Sequence, residues 1–186
     1  MINDNQIIVV RNMTDQNIVY IIPEIGVRRK FSPFESKKIT AKELRQLWYL
    51  AGGARLLQNY LAVDNQELAD EFGVSEDLFT HEYSWTKEDI DENLKNGSLE
   101  LLEDAFDFAP IGICETLVTR AIQLKIPDRN KHLLIQRVTG RDISKMIEYK
   151  EKIDSLSEED LNQEAKPRTR RVGGKNKNSS TGRRVG

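Results

Sequence analysis

Apolar positions change period along this chain. Gln6–Arg11 (QIIVVR) and Ile18–Ile22 (IVYII) are runs rich in β-branched residues. Asn12–Asn17 (NMTDQN) separates them with turn chemistry, and Pro23-Glu24-Ile25-Gly26 follows as a second turn whose glycine can take a positive φ. Val27–Phe31 and Lys37–Ile39 continue the pattern on either side of Ser32-Pro33-Phe34-Glu35. Short strands at this spacing predict a small antiparallel sheet over residues 1–40.

From Thr40 onward the period becomes helical. Thr40 with Glu43 reads as a capping box. It opens a helix Ala41–Leu50 with Leu44, Leu47 and Trp48 on one stripe and Ala51-Gly52-Gly53 at its end. Ala54–Val63 fits a helix better than a strand, through Leu56, Leu57, Tyr60 and Leu61. Thr86 with Asp89 marks another start, and Asn96-Gly97 a stop. The densest periodicity lies in Ser98–Tyr149, which is expected to form the main core. There Ser98 caps Leu99–Phe106, and Pro110 suits the first turn of a helix running to about Leu124. Asp128 caps a helix lined by Leu133, Leu134, Ile135 and Val138, and Asp142 caps a last one with Ile143, Met146 and Ile147 inward. The expected fold class is α+β: a small N-terminal antiparallel sheet over 1–40 and a mainly helical body over 41–149. An acidic helix or linker follows over 150–165, then a flexible basic C-terminal tail over 166–186.

Charge sharpens this picture. The formal net charge of −2 conceals a strong segregation. Residues 64–107 hold fifteen acids against Lys87 and Lys95, whereas residues 166–186 hold eight basic residues and no acid. An acidic body with a basic tail speaks to partners rather than to fold. The tail has no core-forming content. It carries two short copies, Arg170-Arg171-Val172-Gly173 and Arg183-Arg184-Val185-Gly186, joined by a Gly/Ser/Asn/Lys spacer. A smaller basic cluster (Arg28, Arg29, Lys30, Lys37, Lys38) falls on the later strands, where it protects edges or docks an acidic surface.

Candidate chemistry is sparse. The single cysteine, Cys114, excludes an internal disulfide and reads as a small buried hydrophobe in a reducing compartment. His81 and His132 lack the partners of a metal motif, and no phosphate-binding glycine loop, nucleophile elbow or calcium-loop spacing occurs. Gly52-Gly53-Ala54-Arg55 resembles an anion nest but reads more simply as a helix end and turn. Residues 65–80 mimic a helix-turn-helix at Ala69 and Gly73. Their acidic setting, with Glu76 and Asp77 on the second helix, opposes DNA phosphates. No apolar run is long enough to span a bilayer. These features point away from an enzyme, a cofactor, a metal or a membrane.

Two function classes remain. One is a structural or assembly protein whose acidic face and basic arm contact copies of itself or other subunits, with Arg168, Arg170, Arg171, Lys175, Lys177, Arg183 and Arg184 as the contact residues. The other is a nucleic-acid-binding protein whose tail meets phosphates without sequence preference. A resemblance leans toward the first. The run Ile22-Pro23-Glu24-Ile25-Gly26-Val27-Arg28-Arg29, with Phe31-Ser32-Pro33, Lys37-Lys38-Ile39 and Glu43-Leu44, resembles a group of uncharacterised tailed-bacteriophage proteins. So do Gly97-Ser98-Leu99, Leu101, Glu103, Asp107-Phe108-Ala109-Pro110, Gly112 and Thr139-Gly140-Arg141-Asp142-Ile143. The resemblance spans about residues 6–148. It implies a virion or virion-assembly role in the head, neck or tail, synthesis in the host cytoplasm, and contacts with other virion proteins or packaged DNA. It supplies no catalytic residues. Members of that group often have glycine where this chain has Phe34.

Overall fold

A computed structural model describes residues 2–72 and 83–164, with side chains to residue 156. The chain divides into two units, residues 1–148 and 149–186. The first unit opens with β1 (Ile7–Asn12), β2 (Ile18–Ile22), β3 (Val27–Phe31) and β4 (Ser36–Thr40). Helices α1 (Ala41–Tyr49) and α2 (Gly53–Asn59) follow, then β5 (Leu61–Val63) and α3 (Gln66–Phe72). The helical part comprises α4 (Lys87–Asn96), α5 (Leu99–Phe108), α6 (Ile111–Gln123) and α7 (Arg129–Thr139), and the last helix, α8, runs Ile143–Glu164. The protein is therefore α+β, with antiparallel strands at the N-terminus and a mainly helical body.

The strands form two ladders. β1 is central in the order β4-β1-β5, and β2 pairs with β3 as a separate two-stranded ribbon. Alternation directs Ile8 and Val10 of β1, and Ile18, Tyr20 and Ile22 of β2, into one core with Phe31, Ile39, Leu44, Leu47 and Leu57. Strand β5 departs from the sequence expectation of a helix through Val63. The α2 helix stops at Asn59, and Leu61–Val63 pairs antiparallel with Val10–Asn12. Leu61 and Val63 fit a helical stripe and a strand face equally well, and the unpaired edge of β1 decides between them.

Local signals account for most helix ends. Thr86 and Asp89 close a reciprocal capping box on α4, and the Ser98 hydroxyl accepts from the Leu101 N–H. Asp128 accepts from the Asn130 and Lys131 N–H groups, and Asp142 from that of Lys145. Gly26 takes φ 62°, as the turn requires. Thr40 caps α1, but the expected box with Glu43 does not close. The Glu43 carboxylate instead accepts from Tyr20 Oη at 2.7 Å and from Arg29 Nε and Nη2 at 2.9 and 2.8 Å. The first N–H groups of α1 find other acceptors, Ala41 donating to Gln6 O and Lys42 to Asp4 O.

A second core joins Ile90, Leu94, Leu102, Phe106, Ile113, Leu117, Ala121, Leu134, Ile135 and Ile143. Leu133, Val138 and Met146, expected inward, are exposed. Helix α7 needs only Lys131, Leu134 and Ile135 on its buried side, which is narrower than its apolar content. The two cores meet where the strands end. Met13 and Ala62 contribute to the helical core, Met13 N donates to Tyr60 O, and Arg11 Nη2 donates to Ser84 O and Oγ. Asn12, fully buried, donates to Gln16 O and Ser32 O and accepts from the Thr14 N–H and hydroxyl. That arrangement satisfies its whole amide and fixes the turn after β1.

Candidate interaction surfaces

The seven basic residues expected to form a contact arm lie outside the described residues, as do His81 and the turn and second helix of the helix-turn-helix mimic. Of that mimic only α3 is described, and it buries Leu68, Ala69 and Phe72 against the sheet core. The described residues carry two charged surfaces, on the acidic segment and on the basic strands.

Several acids of the segment are committed to internal bonds. Glu71 and Asp4 hold the Arg45 guanidinium, which also donates to Ile2 O and so ties the N-terminal segment and α3 to α1. Asp91 takes a two-pronged bond from Arg120, joining α4 to α6, and Glu103 accepts from Arg137 across α5 and α7. Hydrogen bonds from the Thr86 N–H and hydroxyl hold the Asp89 carboxyl below the usual range.

Other acids remain outward on α5. Residues on a helix step by about 100°. Glu103, Asp107, Glu100, Asp104, Phe108 and Leu101 therefore fill one continuous arc, and Leu102, Ala105 and Phe106 fill the buried one. Asp104 accepts from the Tyr83 hydroxyl; Glu100 and Asp107 have no cationic partner among the described residues. The Glu100 carboxyl sits below its ordinary range because its own backbone N–H and the Ser98 hydroxyl bond to it. Beside these acids Phe108 is 70% exposed, and Ile111, at the start of α6, is 43% exposed. The sequence pattern predicts a helix ending at Phe106. Two further helical residues place Phe108 on the acidic face, because the chain turns away only at Ala109, with Pro110 at the N-cap of α6.

Alternation divides the basic cluster on the strands. Arg29 points inward to Glu43. Burial pushes the Glu43 carboxyl up, but the hydrogen bonds from Arg29 and Tyr20 and the charge of Arg29 outweigh it, so the group lies below the usual carboxylate range. Lys37 pairs with Glu35 and lies 5.7 Å from the centre of the Phe31 ring. Arg28 and Lys30 point outward without an acidic partner among the described residues, opposite Ile21 and Val19. Val19 and Ile21 are themselves about half exposed, at 47% and 52%. The outer face of the β2–β3 ribbon is thus basic and apolar, a combination visible in the sequence only once the strand period is applied.

The remaining candidate chemistry is structural. Cys114 Sγ lies 3.6 Å from Ala109 O, and burial pushes its thiol up to about 11. His132 bridges Ile126 O and Ser144 Oγ, and the adjacent Lys131, 3% exposed, donates to Leu94 O at the end of α4. Gly52-Gly53 forms the turn between α1 and α2. A cavity of about 250 Å³ lies between the 14–19 turn, Leu56, Tyr60 and Glu115-Thr116. A groove of about 320 Å³ runs between α5 and α7 past Leu99, Glu103, Leu133 and Arg137. Among the described residues no cluster of His, Cys, Asp and Glu is placed to hold a metal, and no helix is long and apolar enough to cross a membrane.

Comparison with known proteins gives no match to a family model, a curated protein or a solved structure.

Proposed function

We propose that this chain is a non-enzymatic structural or assembly protein of a tailed-phage virion, contacting neighbouring subunits through its acidic face and its basic C-terminal arm. The observation that carries this reading is the α5 arc. It gathers Glu100, Glu103, Asp104 and Asp107 beside exposed Phe108 and Leu101, on a chain that ends in eight cations without an acid. Charged surfaces of opposite sign set register and partner choice in assemblies. A basic arm whose two Arg-Arg-Val-Gly copies are joined by a Gly/Ser/Asn/Lys spacer adds a second point of attachment at high effective concentration. The residue pattern shared with tailed-phage proteins supports the virion setting.

The experiment is mass spectrometry of purified particles, with copy number. Wild-type protein is expected at a fixed stoichiometry. Replacing Arg168, Arg170, Arg171, Lys175, Lys177, Arg183 and Arg184 by Ala should reduce incorporation several-fold while leaving the thermal transition of the body in place. Unchanged incorporation would remove the arm from the contact. The tail charge favours a second reading, nucleic-acid binding. A salt-dependent DNA mobility shift lost on deletion of residues 166–186 would support it.

A further inference from the structure

Two exposed surfaces of the first unit are complementary in charge, in apolar content and in length. The outer face of β2–β3 presents Val19 and Ile21 with Arg28 and Lys30 directly across the ribbon. The outer arc of α5 presents Glu100, Asp104 and Asp107 with Phe108. Five-residue strands extend about 16 Å, and a ten-residue helix about 15 Å. A helix laid along a two-stranded ribbon is an ordinary way to cover a sheet face. Neither surface pairs favourably with its own copy, because each would meet its own sign across a two-fold axis.

We infer that the α5 face of one copy docks on the outer β2–β3 face of a second copy, in a head-to-tail contact. The inference rests on the assembly role proposed above and names the partner of the acidic face. Phe108 is the anchor, seated between Val19 and Ile21, with Glu100 and Asp107 of α5 against Arg28 and Lys30. The two patches differ, so the contact is heterologous. It closes into a ring if the rotation between copies divides a full turn, and otherwise grows as a filament. Neither face needs the C-terminal arm.

The test is sedimentation of the full-length protein across a concentration series at low and high salt. Self-association that weakens with salt is expected. Arg28→Glu with Lys30→Glu, or Glu100→Lys with Asp107→Lys, should each weaken association at least about tenfold. All four substitutions together should restore it by exchanging the signs. Phe108→Ala should weaken it without changing its salt dependence. All of these side chains are exposed, and circular dichroism melts check that each variant is folded. Deleting residues 166–186 should leave the association intact. A monomeric wild type at low salt overturns the inference, as do reversals without effect, a four-fold variant that fails to recover, or association lost with the arm. A chain that is monomeric yet present in particles removes this contact and leaves the assembly role. A chain that associates through these faces but is missing from particles does the opposite.

Discussion

At residue scale, Glu43 shows how a side chain is claimed by the strongest offer. Three residues after Thr40 it suits a capping box, worth about 1 kcal/mol. In the fold it is 4% exposed and faces Tyr20 and Arg29, whose charge-assisted bonds are worth more. The consequence is a pH dependence. Its carboxyl titrates lower when folded than when unfolded, so the unfolded chain binds more protons in between. Stability from this site is full above the unfolded pKa of about 4.3 and fades as pH falls through the folded value. Glu43→Gln should cost about 1–2 kcal/mol at pH 7, since Arg29 is partly exposed. The difference from wild type should shrink below about pH 4. Thermal melts of both proteins from neutral to acid pH check it; a constant gap would rule out the linkage. Phe34 shows the opposite case. It holds φ 56°, in the left-handed region that favours glycine. The turn between β3 and β4 imposes that conformation, through Phe34 N bonding Thr14 O and Glu35 N bonding Ser32 O.

At element scale, α6 sets helix propensity against packing. Gly112 lies in its first turn, where Ala would gain about 1 kcal/mol in an isolated helix. A Cβ there would sit 2.5 Å from Asn59 O and 2.9 Å from Thr14 Cγ2. Asn59 O is backbone at the end of α2 and cannot swing away. Overpacking of this kind costs about 1–3 kcal/mol. Gly112→Ala is therefore expected to destabilise the protein by at least about 1 kcal/mol, measured by urea unfolding. A stabilised variant would show that α6 does not press on the α2–β5 turn as described. The glycine is plain in the sequence, but its reason is not, because Asn59 and Thr14 are distant from it along the chain.

At the scale of the whole first unit, two hydrophobic cores share one frame. The sheet core includes Trp48, stacked on Phe72 with ring centres 4.6 Å apart, and the helical core includes Trp85, edge-on to Tyr83. β1 supplies Ile8 and Val10 to the first, Met13 immediately after it joins the second, and Arg11 ties the strand to Ser84. The cores should therefore unfold together. Trp48→Phe and Trp85→Phe variants each leave one fluorescent reporter. Their urea midpoints should coincide with that of circular dichroism after correction for each variant's own stability. Separated transitions would show two independent folding units.

Much of this architecture is local and was readable. The helix starts at Thr86, Ser98, Asp128 and Asp142 depend on side chains two or three residues from the groups they cap. The strand runs before Thr40 are marked by β-branching and turn residues. These effects act within a few residues, so the linear order contains them. What the tertiary structure decided is long-range. It made Leu61–Val63 a strand by offering the edge of β1. It drew Glu43 out of its cap, split Arg29 from Arg28 and Lys30, and left Leu133, Val138 and Met146 outside a core already filled. The acidic arc of α5 and the basic face of β2–β3 belong to both levels. Their charges are fixed by composition, but only folding aligns them into surfaces, because helix and strand periods sort neighbours in sequence onto opposite sides.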